Sequence, residues 1–176
     1  MPRLASGTSA EHYPAVRGAH RVRRVAYRGI HVNRVKDYPD HHDAELVMKL
    51  YDLRREPIMR ESRAAVNGKY WPKNADEAVA VLKTDHPLNA AFRQVSTYWE
   101  MAYGMARHGV LHPDFMIESN SEGLYLYARV APYLAELRKS NPRSFRSAEW
   151  IATESVEGRK MFEHYRARVE QSLATK

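Results

Sequence analysis

The stretch PLNAAFRQVSTYWEMAYGMARHG, residues 87–109, decides the fold. Its apolar residues recur three and four positions apart: Phe92, Val95, Trp99, Ala102, Tyr103 and Ala106 form one stripe, and Ala91, Tyr98, Met101 and Met105 cover a neighbouring one. That spacing is the period of an α-helix, not the two-residue alternation of a strand. A helix apolar around so much of its circumference is usually enclosed by other helices. Residues 87–109 are therefore expected to form the centre of the core, opened by Asp85 or His86 ahead of Pro87 and closed at Gly109.

The same period continues on both sides. Upstream, Leu46, Val47, Leu50, Tyr51 and Leu53 mark a buried face, with Asp43 in the N-cap position. Pro57 breaks that helix or starts a second one to about Val66, which Asn67-Gly68 ends. Asn74 caps a short helix over residues 75–83. Downstream, His112-Pro113 opens a single helical turn through Ile117, and a longer helix spans residues 122–140, bent at Pro132 and stopped by Asn141-Pro142. Residues 144–174 read as one or two amphipathic helices with Trp150, Ile151, Met161, Phe162 and Tyr165 inward. The expected fold is all-α, a compact bundle of about five to seven helices over residues 43–176, preceded by a basic arm and linker over residues 1–42.

The arm carries the charge. The chain of 176 residues has a net charge of +7, and residues 1–36 alone hold eight basic side chains against Glu11. The remaining 140 residues balance 20 basic against 20 acidic groups. A neutral body with a basic appendage points to an acidic partner surface. The expected contacts are Arg17, Arg21, Arg23, Arg24, Tyr27, Arg28, Arg34 and Lys36, on a protein partner or on the phosphates of a nucleic acid. Residues 21–35 are rich in β-branched side chains, and Ile30 and Val32 alternate with His31 and Asn33, so part of the arm is expected to be strand-like. The chain has no cysteine, which excludes disulfides and a thiol nucleophile. It shows no secretory leader and no run of about 20 apolar residues, and a cytoplasmic location is expected.

Chemistry is sparser. Residues 37–45, DYPDHHDAE, gather histidines and carboxylates, and His41, His42 and Asp43 could ligate a metal, as in the helical phosphohydrolases named for their His-Asp dipeptide. The alternative, preferred here, is that Asp40 and Asp43 cap the first helix while both histidines are solvated. Glu100 follows Trp99 on the central helix, and an ion pair with Arg129 or Arg138 is expected to accompany its partial burial. No phosphate-binding glycine loop, nucleophile elbow or zinc-protease motif is present, so no catalytic residue and no cofactor is assigned.

Four runs occur in order: Leu50-Tyr51-Asp52-Leu53-Arg54-Arg55-Glu56-Pro57-Ile58-Met59-Arg60, then Tyr98-Trp99-Glu100, then Gly104 to Gly109-Val110-Leu111, then Tyr133-Leu134-Ala135-Glu136-Leu137-Arg138. On these, residues from about 45 to 151 resemble the bacterial domain-of-unknown-function 4760 family. The resemblance implies a helical domain and contributes no catalytic residues. Members of that family often follow one or two membrane helices, where this chain has its basic arm. A non-enzymatic accessory or interaction protein is the function expected from these readings.

Overall fold

The computed structural model describes residues 36–175, all within one compact unit. The described residues form nine α-helices and one 3-10 turn. In chain order these are α1 (His41–Arg55), α2 (Pro57–Lys69), α3 (Ala75–Ala80), α4 (Asn89–Arg107), α5 (Pro113–Asn120), α6 (Glu122–Val130), the 3-10 turn Ala131–Tyr133, α7 (Leu134–Ser140), α8 (Arg146–Glu154) and α9 (Val156–Ala174). The expected strand over residues 21–35 lies outside the described residues.

Helix α4 is the centre. All six residues of its first stripe are buried, and α2 and α8 pack along it. The second stripe is only partly covered: Tyr98 is buried, whereas Met101 is 45% exposed. The helix starts at Asn89, two residues later than Pro87, because His86 Nδ1 accepts the Leu88 N–H (3.1 Å) in a turn ahead of it. Its end is a Schellman motif: Gly109 adopts φ 72°, its N–H reaches Ala106 O, and the Val110 N–H reaches Met105 O.

Local chemistry sets most other boundaries. Pro57 occupies the first turn of α2, and Asn74 caps α3 through the Glu77 N–H. Pro132 lacks an amide hydrogen and cannot continue α6, so the single helix expected over residues 122–140 divides into α6, the 3-10 turn and α7. Two other expectations are corrected. Helix α2 runs through Asn67-Gly68 to Lys69, and α5 extends past Ile117 to Asn120. The second extension is fixed by Tyr103, whose buried hydroxyl donates to Asn120 O (3.0 Å) and accepts the Leu124 N–H (3.1 Å). Tyr98 likewise donates to Leu50 O (2.6 Å), tying α4 to α1. Helix α9 closes the bundle against α5, α6 and α8.

Candidate functional site

Asp40, not Asp43, is the N-cap of α1. Its Oδ1 accepts the N–H groups of His42 (2.9 Å) and Asp43 (3.1 Å), while Asp43 Oδ2 accepts the Asp40 N–H (2.8 Å), completing a capping box. Asp43 Oδ1 also takes the His112 N–H (2.9 Å) and the Lys36 ammonium (3.0 Å). Asp43 has no exposed surface, and its oxygens are committed to these donors. His41 and His42 are exposed, and among the described residues no three His, Asp or Glu side chains converge to hold a metal. Lys36, one of the residues expected to contact a partner, pairs with Asp40 (3.3 Å) and Asp43 (3.0 Å) at the start of α1. The other arm residues singled out, Arg17 to Arg34, lie outside the described residues.

Burial alone would raise the Asp43 carboxyl, but the Asp40 and His112 amides and the Lys36 ammonium outweigh it and hold the group below the usual aspartate range. A depressed folded-state pKa stabilises the fold fully above the unfolded value near about 3.9, and that stabilisation disappears as pH falls through the folded value. The Asp43→Asn variant is expected to lose stability at neutral pH and to show a flatter acid limb than the parent. Urea midpoints measured from pH 7 down to pH 2 check this (range chosen around the carboxylate pKa).

Glu100 forms no ion pair with Arg129 or Arg138. Its two oxygens accept the N–H groups of Ser147 and Ala148, each at 3.0 Å, at the start of α8. The N-cap residue of that helix, Phe145, offers no side-chain acceptor, so a carboxylate from α4 does the capping and meets the positive end of the α8 dipole. Arg138 pairs instead with Glu149 on α8 (2.6 Å) and donates to Ser144 O. Glu100→Ala is expected to cost about 1–2 kcal/mol, and Glu100→Gln, which keeps one acceptor oxygen, less. Thermal unfolding of the two variants would show no difference if the charge alone mattered.

Arg129 is not in the ion pair expected from the sequence but is a buried helix cap, only 2% exposed. Its Nη1 donates to Val66 O and Tyr70 O, each at 3.0 Å, and its Nη2 to Asn67 Oδ1 (2.9 Å), so it satisfies the C-terminal end of α2. Asn67 passes the connection to Glu122, which also binds Arg63. The sequence signal for this site is the lone cation in the apolar run Leu124 to Val130. A charge placed in such a run is retained only when it is fully partnered.

Two surface features remain. Met48 (61% exposed), Tyr51, Leu53 and Ile58 (68%) leave apolar side chains in solvent on α1 and the start of α2, directly after the arm. Between α4 and the α7–α8 connection lies a cavity of about 580 Å3 with Phe92, Leu137 and Phe145 among its walls.

The family model described as Domain of unknown function (DUF4760) matches residues 39–155, about two thirds of the chain. The chain belongs to that family. The DUF4760 match begins next to the Asp40 cap and ends at Ser155, the N-cap of α9, so α9 lies outside it. Among the described residues no helix is long and apolar enough to cross a membrane. No curated protein and no solved structure matches the chain.

Proposed function

We propose that this DUF4760 protein is a non-enzymatic accessory protein whose helical body docks on a larger assembly and whose arm contacts an acidic protein surface, in the cytoplasm. The observation that carries the reading is the division of charge: eight basic side chains and one acidic within residues 1–36, against a body of equal charges. Lys36 supports it, because its bonds to Asp40 and Asp43 fasten the arm's root to the start of α1. The exposed Met48, Tyr51 and Ile58 add apolar area on α1 and at the start of α2. Asp43, Glu100 and Arg129, three polar side chains drawn into the body, serve helix ends, which accords with a structural role for the body.

The test is purification of the tagged full chain from its host after nuclease treatment, beside a variant with Arg21, Arg23, Arg24 and Arg28 changed to Glu. A defined protein retained by the parent, lost with the variant and released by moderate salt is the expected result. Retention of nucleic acid alone, with binding that falls steeply as salt rises, would replace the protein partner by phosphates. Identical co-purifying proteins for both chains would remove the arm from the interaction.

A further inference from the structure

Helix α4 brings Phe92, Arg93, Ser96, Thr97 and Glu100 to a cavity that is also lined by Ser140, Asn141, Arg143, Ser144 and Phe145. Phe92 and Phe145 pack edge to face at 6.2 Å between ring centroids and, with Leu82 and Leu137, line an apolar floor. Ser96, Ser140, Asn141 and Ser144 bring hydroxyl and amide groups to its walls. A volume of about 580 Å3 lies in the range that takes a small organic ligand.

The charge of the site is one-sided. Arg93 enters from α4 and Arg143 from the α7–α8 connection, and neither guanidinium has an ion-pair partner among the described residues. The cavity's one carboxylate, Glu100, has both oxygens occupied by the Ser147 and Ala148 amides. Two guanidinium groups that line one cavity, without an ion-pair partner among the described residues, match a carboxylate or phosphate, which accepts paired N–H bonds from such groups. Phe145 adds an independent observation. It holds φ 53°, a left-handed backbone that is unfavourable for a non-glycine residue, and its buried side chain lines the cavity. Strain of this kind persists where the surroundings impose it, and it concentrates at binding sites.

We propose that this cavity binds a small amphipathic organic anion, with its apolar part on Phe92, Leu137 and Phe145 and its anionic head between Arg93 and Arg143. The site is separate from the arm, so the proposal stands or falls apart from the interaction reading above.

The experiment is a titration of the 15N-labelled full chain with decanoate and with phenyl phosphate, which distinguish a carboxylate from a phosphate head. Decanol and inorganic phosphate serve as the uncharged and the purely ionic comparisons. Saturable amide shifts centred on Arg93, Ser96, Thr97 and residues 141–145 are expected for at least one amphipathic anion. The R93A/R143A double variant is expected to weaken that binding roughly tenfold or more while leaving decanol unchanged. Both arginines are exposed, so the variant is expected to keep the fold, which its melting temperature checks. Three results would overturn the proposal: no saturable shift with either anion up to about 5 mM, shifts centred elsewhere, or equal affinity in the double variant.

Discussion

Replacing Arg129 with methionine is expected to destabilise the protein by about 2–4 kcal/mol, because buried acceptors that share one guanidinium lose their donor at a cost of about 1–3 kcal/mol each where no other donor serves them. The methionine fills most of the volume, so the loss comes from hydrogen bonding and not from a cavity. Val66 O and Tyr70 O both lose a donor at the buried end of α2, and Asn67 loses the contact that orients it toward Glu122. The guanidinium also lies over the rings of Trp71 (5.3 Å) and Tyr125 (4.9 Å), a contact the thioether does not reproduce. Burial pushes the Arg129 pKa down to about 10, opposed by Tyr125, Tyr70 and Glu122, so the side chain stays charged at neutral pH. Apolar replacement of buried ions is often neutral when both partners are replaced together. Here the partners are main-chain carbonyls and cannot be replaced. Arg129→Lys keeps the charge without the fork and is expected to fall between parent and methionine. Urea denaturation at pH 7 measures the series, and a loss under about 1 kcal/mol for the methionine variant would mean that water replaces the guanidinium at both carbonyls.

Gly158→Ala is the second large effect, and its sign is the informative part. In an open helix this change stabilises by up to about 1 kcal/mol, because glycine is the poorer helix former. Gly158 lies in the first turn of α9, directly against the end of α8. A Cβ there would overlap the Ile151 carbonyl oxygen and sit 2.7 Å from Ile151 Cγ2 and 2.9 Å from Ser155 Oγ. The carbonyl belongs to the backbone and cannot rotate away. The two helices would have to separate around Ser155, whose Oγ accepts the Gly158 N–H and donates to Asp114. A net loss of at least about 2–3 kcal/mol is expected from this overpacking. Gly68→Ala in α2 is the internal comparison, since nothing lies within 4 Å of its Cβ, and it is expected to stabilise slightly. Melting temperatures that move in opposite directions for the two alanines bear this out. A stabilised Gly158→Ala would show that α8 and α9 have room to part.

What the sequence determined by itself was the helical class, the centre of the core and the punctuation. The Phe92 to Ala106 stripe is a local pattern, and burial follows from its period wherever the neighbours come from. Pro57, Pro132 and Gly109 act through their own backbone chemistry and Asn74 through a side chain that caps the turn beside it, so their roles are legible without a distant partner. The charge division of the arm is likewise a fact of composition. Only the tertiary structure decided the polar partners. Asp43 reads as a cap from its neighbours, yet it becomes a buried acceptor because the amide of His112, 69 positions away, lands on it. Glu100 was recognisable as a carboxylate in need of a partner. That the partner is the open end of α8, with Arg138 taken by Glu149, depends on how three helices cross. Helix α2 outruns its Asn-Gly stop signal because Arg129 arrives to satisfy its last carbonyls. The cavity beside Phe145 has no sequence signature, since its walls come from α4 and from a connection about 50 residues later. Periodicity tells which face of a helix is apolar. It carries no information on which distant donor, acceptor or ring will meet that face, because that choice is made by distance in the folded chain.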